Sequence, residues 1–171
     1  MSERLVVFFT TLLNGKLGNE VICFIISLFP ILELRGGLLA ASPAILDVPL
    51  KNALIACIIG NLLPIPFILL LIEKILESME KWKLTKKFAL WLMEKADKHK
   101  GQIETYGFWG LVLFVGIPLP GTGAWTGSLI ASLLHMPFKK SMLACIIGVF
   151  MAAVIMTVIS YGLLGGLTAL L

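Results

Sequence analysis

Apolar positions fall into long runs that break at a few sharp points. The first run, Leu5–Leu13, covers only about 14 Å as helix, too short for a bilayer core of about 30 Å. It is expected to lie at the interface or to pack on a bundle, with Asn14-Gly15 breaking it. Apolar residues then extend from Val21 to Leu46, interrupted by Pro30-Ile31-Leu32-Glu33-Leu34-Arg35-Gly36-Gly37. Each flank is about 14–15 Å of helix, half a bilayer. Such a unit is either a re-entrant hairpin with its break at the tip or a broken spanning helix, and length does not choose. Asp47-Val48-Pro49 marks a turn. Lys51 to Glu73 follows as a segment of about 34 Å, enough to span, with a kink expected at Pro64 and Pro66. Asn61 is read either as a hydrogen-bonding group inside the bundle or as a solvated amide beside the kink.

Residues 74–104 form the one polar region. Lys74, Lys81, Lys83, Lys86, Lys87, Lys95, Lys98 and Lys100 make eight of the fourteen basic residues, so the positive-inside rule assigns this connector to the cytoplasm. Trp82, Phe88, Trp91 and Leu92 recur among the lysines at helical spacing. That reads as an amphipathic helix on the leaflet or as a solvated helical connector. Glu77 to Lys81 and Glu94 to Lys98 are favourable i,i+4 pairs.

The second half repeats the plan. Tyr106–Ile117 is about 18 Å of apolar helix. It stops at Pro118-Leu119-Pro120-Gly121-Thr122-Gly123, and Ala124–His135 continues for another half-bilayer. Lys139-Lys140 mark an interface, Ser141 to Tyr161 spans, and the glycine-rich tail to Leu171 is expected to bend or fray. Shifted by 88 residues, VPLKNALIACIIG (48–60) falls on MPFKKSMLACIIG (136–148), Pro30 on Pro118 and Leu46 on Leu134, without a gap. Re-entry of both hairpins gives inverted repeats with Lys51 and Lys139 on opposite sides. Full crossing of both gives four spans and parallel repeats. The inverted plan recurs in transporters, with the site where the breaks meet.

Composition agrees. Mean hydropathy of +0.99, with 58% hydrophobic and 14% charged residues, excludes a soluble domain and points to a polytopic membrane protein. The expected fold class is all-α, an inverted repeat of re-entrant helical hairpin plus transmembrane helix. The chain reads as a single membrane domain: 1–20 an interfacial N-terminal segment, 21–73 the first repeat, 74–104 the connector, 105–171 the second repeat. The net charge of +4 is concentrated in the connector, which suits a membrane surface rather than nucleic acid. Cys23, Cys57 and Cys145 lack metal or CxxC spacing and read as small buried side chains. Leu5–Leu13 lacks a small-residue cleavage site, so no signal peptide is expected. Membrane lipid is an expected partner, a homodimer is expected, and no cofactor or metal is implied.

The candidate chemistry is Glu33 and Arg35. A charge at bilayer depth costs roughly 2.5–3.5 kcal/mol and usually lines a polar path. Two apart on an ideal helix, they would face nearly opposite ways and could not pair. Pro30 and Gly37 in the first unit, and Pro118, Pro120, Gly121 and Gly127 in the second, are read as breaks; the last also fits GxxxG packing with Gly123. A helix starting at Thr122 or Gly123 would aim free N–H groups and its positive end at the middle of the membrane, favouring an anion.

PILELRGG and PLPGTGAWTGSLIA, in this order around a basic connector, resemble the putative small multidrug export protein family, itself similar to the DedA-like (VTT-domain) membrane proteins. The motif positions are Glu33, Arg35, Gly36, Pro118, Pro120, Thr122, Gly123, Ala124, Trp125 and Gly127. The resemblance implies two opposed re-entrant hairpins and small-molecule export. The DedA-like kinship implies proton-dependent translocation of a lipid carrier such as a polyprenyl phosphate, although the second hairpin has no arginine.

The expected function is therefore a proton-coupled transporter of a lipid-linked or amphipathic anion. Glu33, Arg35, Gly36, Thr122, Gly123, Trp125 and Thr126 would contact substrate, and Glu33 would carry the proton. The alternatives are a lipophilic-cation exporter, with Glu33 as counter-charge and Trp125 as aromatic face, and a non-transport structural or assembly protein. No HExxH, GxSxG or paired-carboxylate pattern suggests an enzyme. The plasma (inner) membrane of a prokaryote is the expected location.

Overall fold

The computed structural model describes residues 2–13, 17–71, 90, 94, 106–119 and 121–163. The connector's lysines, Trp82, Trp91, His99, Pro120 and the tail beyond 163 lie outside the described residues, and with them the expected amphipathic helix. Among the described residues the regular structure is helical, with no strand.

α1 (Ser2–Leu13) packs on the bundle. Val6 is fully buried, Thr10 nearly so, and Phe9 meets Phe29 with ring centroids 4.9 Å apart. α2 (Asn19–Leu28) ends where Pro30 dictates. A proline pushes the residue before it out of the helical region, and Phe29 is extended at ψ 135. α3 (Glu33–Ala41) then turns back along α2. A Cβ on Gly37 would lie 1.9 Å from Ser27 Oγ and 3.0 Å from the Cys23 carbonyl. At the open end, Asn19 Nδ2 donates to the Leu46 carbonyl at 3.0 Å. The first interrupted run is thus a helical hairpin with its tip at residues 29–32.

α4 (Leu50–Leu62) follows from an N-cap proline, Pro49. It buries a face of small residues, Ala53, Cys57 and Gly60, which lets backbones approach without side chains between them. Leu63-Pro64 interrupts the helical pattern, which resumes at Ile65. Leu50–Leu71 as a whole is 22 residues with mean hydropathy 2.5, long and apolar enough to cross a membrane. Asn61 is buried, and its side-chain carbonyl meets no hydrogen-bond partner among the described residues.

The second unit copies the first. α5 (Tyr106–Gly116) and α6 (Ala124–Leu133) fold back on each other, with Gly127 against Val115 and Leu111. α7 (Phe138–Thr157) continues into a π-helical turn, Val158–Leu163; Phe138–Gly162 is also long and apolar enough to cross. The 88-residue register recurs in the backbone. Pro49 and Pro137 cap α4 and α7 with nearly equal angles, φ −52 and ψ 131 against φ −55 and ψ 128. Asp47 and His135 both adopt left-handed φ, 48 and 51. Gly60 sits against the Phe24 carbonyl and Ser27 Cβ; Gly148 sits against the Val112 carbonyl and Val115 Cβ.

The end of each long helix lies beside the start of the other. Tyr161, past the end of α7, donates its hydroxyl between the Ala41 and Val48 carbonyls at 3.1 and 2.8 Å. Leu69 and Leu70 line one cavity with Phe138. Ile55, Ile59 and Phe67 on the first long helix, and Phe150, Val154 and Val158 on the second, are exposed apolar residues at helical spacing, a surface suited to acyl chains.

Two expected breaks are corrected here. Gly37 and Gly127 lie inside α3 and α6. A helix-interior glycine costs roughly 1 kcal/mol relative to alanine, but at both positions it admits a neighbouring helix that a Cβ would push away. Gly36 behaves alike, within 3.3 Å of Ile26 as judged from an added Cβ. The interruption of the first unit is the four residues Phe29–Leu32, not Pro30–Gly37.

Candidate functional site

The two hairpin tips meet, and the contact is made by the two charged side chains. Glu33 is 4 % exposed. A carboxylate so buried is costly unless hydrogen bonds satisfy it. It accepts the Ala124 N–H at Oε2, 2.9 Å, and the Trp125 N–H at Oε1, 3.3 Å. These are the first two amides of α6, which have no partner within their own helix. The carboxylate therefore caps, from the other unit, a helix whose own N-cap residue, Gly123, has no side chain to do so. Its negative charge also faces the positive end of the helix.

Arg35 reaches the same tip from the other side. Its Nη1 and Nη2 donate to the carbonyls of Leu119 and Thr122. The indole Nε1–H of Trp125 returns the contact, donating to the Leu28 carbonyl at 3.1 Å. Backbone dipoles of the second tip thus meet both charges of the first, amides on the acid and carbonyls on the base.

Local backbone makes this reachable. Glu33 has φ 50, left-handed for an L-residue, which costs about 1–2 kcal/mol. That twist removes the regular-helix assumption by which Glu33 and Arg35 would face opposite ways, and both reach one partner. On the second tip, Leu119 N–H closes on the Ile117 carbonyl at 2.8 Å, turning tightly around Pro118. Thr122 braces the turn. Its hydroxyl lies 2.9 Å from both the Ile117 and Leu119 carbonyls and accepts the Leu119 N–H at 3.3 Å. Gly123, at φ 138 and ψ −176, occupies a region essentially confined to glycine. A Cβ there would lie 2.0 Å from Glu33 Oε2, so glycine is what admits the carboxylate.

The expected site residues therefore divide. Glu33, Arg35, Gly123 and Trp125 are at the contact, and the Thr122 carbonyl joins them, while its hydroxyl braces the turn. Gly36 packs against Leu32 and Ile26, and Thr126 is buried within α6. The amides at the tip are those of Ala124 and Trp125 rather than those of Thr122 and Gly123. They are not bare, since Glu33 holds them. Sequence reasoning missed the roles of Leu28, Leu119 and Ala124, which contribute only backbone atoms; no side-chain signal could have revealed them. No group of three or more His, Cys, Asp or Glu side chains that could hold a metal occurs among the described residues.

Neither a curated protein nor a solved structure matches the chain. One family model does, over residues 33–155, from Glu33 at the first tip through α3, α4 and the second hairpin into α7. With Glu33, Arg35 and the whole second tip inside that match, which covers most of the sequence, the chain belongs to the family described as Putative small multi-drug export protein.

Proposed function

We propose that the chain is a membrane transporter whose substrate passes between the two hairpin tips, and that it moves an amphipathic anion, such as a polyprenyl phosphate, together with protons. In this reading each hairpin re-enters the bilayer from an opposite side, and the two units are inverted repeats. The head-to-tail placement of α4 and α7 supports that arrangement, as does the 88-residue recurrence of caps, turns and glycine contacts.

The observation that carries the proposal is the Glu33 carboxylate on the α6 amides. A helix N-terminus beside a guanidinium is an anion site, and a side-chain anion already fills it. Protonating Glu33 would weaken both charge-assisted bonds and free the amides. A substrate phosphate or carboxylate would then take them, with Arg35 as its second partner. Deprotonation would return Glu33 and expel the substrate. Acid and substrate compete for one pair of N–H groups, so proton and anion fluxes are coupled. The resemblance of the two tip motifs to DedA-like proteins, which implies lipid-carrier substrates, fits this chemistry.

The family description favours a second reading, export of lipophilic cations, with Glu33 as counter-charge and Trp125 as aromatic face. Reconstitution separates the two. A labelled polyprenyl phosphate should cross proteoliposomes bearing the protein, and Glu33→Gln and Arg35→Ala should each abolish the flux while insertion is unchanged. Movement of a lipophilic cation instead, blocked by Glu33→Gln alone, would overturn the anion reading. No flux of either, with cellular function intact in the double variant, would overturn transport itself.

A further inference from the structure

The 88-residue correspondence makes one difference between the two ends of the bundle conspicuous. At the end where α4 starts, the left-handed turn residue is Asp47, followed by Lys51 and Asn52, and Asn52 donates to Glu20 at 3.3 Å. The groove between that turn and the end of α7 is filled: Tyr161 sits there with its hydroxyl on Ala41 and Val48. At the end where α7 starts, the same left-handed position is His135, followed by Lys139 and Lys140, all three exposed. A cavity of about 260 Å³ opens there, lined by Leu69, Leu70, Ser132, His135, Met136 and Phe138. The scaffold is common to both ends, but acidic groups stand at one and basic groups at the other.

The cavity's chemistry is two-part. Leu69, Leu70, Met136 and Phe138 give it apolar walls. Ser132 is only 8 % exposed and lines the cavity. His135 is at the rim, and the two lysines of the first turn of α7 stand beside it. Leu69 and Leu70 also stand in sequence just before the basic connector.

We propose that this cavity binds the phosphate headgroup of an anionic lipid. Ser132 and His135 contact the headgroup, Lys139 and Lys140 supply charge, and the apolar walls hold the start of the acyl chains. The site shares no lining residue with the hairpin-tip contact and does not depend on what passes between the tips.

The test uses the full chain in detergent, with dioctanoyl phosphatidate as probe, dioctanoyl phosphatidylcholine as zwitterionic control and inorganic phosphate as headgroup control. Binding is read by the ligand-induced rise in unfolding temperature and by native mass spectrometry. Phosphatidate should bind, and phosphatidylcholine should bind at least tenfold more weakly. Each lysine removed near a lipid surface should weaken binding about fivefold, so Lys139→Ala with Lys140→Ala should weaken it about twentyfold. Ser132→Ala should weaken it without affecting the unliganded protein. Lys51→Ala, at the acidic end, should leave binding unchanged. His135→Asn tests the imidazole while keeping a residue that tolerates left-handed φ, which avoids the backbone strain that His135→Ala would add, and it should weaken binding severalfold. Equal binding of both lipids, equal loss in Lys51→Ala, or full affinity in the double-lysine variant would each overturn the proposal. Displacement of phosphatidate by an equal concentration of inorganic phosphate would also overturn it, by assigning the site to the free ion.

Discussion

Gly123→Ala puts the tip contact under direct test. The added methyl would sit 2.0 Å from Glu33 Oε2, 2.6 Å from Cδ and 2.7 Å from Oε1. No rotamer change at position 123 can relieve this, because a Cβ has none. Two costs arise. Holding alanine at φ 138 and ψ −176 costs about 1–3 kcal/mol. Expelling the carboxylate forfeits hydrogen bonds to a charged group, about 1.5–3 kcal/mol. Together the variant should lose about 2.5–6 kcal/mol, a large part of a small protein's stability. In a Glu33→Ala background no carboxylate remains to displace, and only the backbone cost should persist. The double-mutant cycle should therefore return a coupling of about 1.5–3 kcal/mol. Unfolding by sodium dodecyl sulfate in mixed micelles, followed by tryptophan fluorescence, measures all four corners. Equal losses from Gly123→Ala in both backgrounds would refute the claim that this glycine exists to admit Glu33.

Three further outcomes are expected. With the native cysteines replaced, Lys51→Cys and Lys139→Cys should react with an impermeant maleimide from opposite sides of sealed vesicles, and labelling from one side would refute the opposed arrangement. Tyr161→Phe should cost about 1 kcal/mol by removing the hydroxyl donor from the Val48 carbonyl, the Ala41 carbonyl keeping the Val48 N–H; no loss of thermal stability would discount that contact. Gly60→Ala and Gly148→Ala should each destabilise by about 1–3 kcal/mol through overpacking. Gly60 should suffer more, since its Cβ meets a backbone carbonyl at 2.5 Å, where Gly148's nearest neighbour is the Val115 side chain; neutrality of both would contradict the close helix approach.

Much of the fold was legible because it is written in lengths. Half-bilayer runs flanking Pro30 and Pro118 implied short helices, and an ungapped 88-residue match implied that both units share a plan. The choice between folding back and crossing was not legible, because Val21–Phe29 and Leu38–Leu46 have the same length either way. It is read instead from Gly37 against Ser27 and Asn19 on Leu46. Glycine was ambiguous for a physical reason. Chain break and close approach both require a missing Cβ, so Gly36, Gly37 and Gly127 looked like interruptions when they are packing points. The site was half legible. Glu33 and Arg35 stood out as charges in an apolar run, but the argument that they diverge assumed regular helix at Glu33, where φ is 50. Their partners are the main chain of Leu119, Thr122, Ala124 and Trp125, and every residue carries those same groups.

That last point bears on how such a protein can change. Glu33 and Arg35 grip the second tip through its peptide groups, so their hold is indifferent to which side chains hang from Leu119 or Ala124, provided the loop keeps its path. Selection can then rewrite the outward surface of that loop, and with it whatever the molecule discriminates, while the joint between the halves stays intact. The converse holds on the other side, where shortening Glu33 by one methylene would leave the amides out of reach.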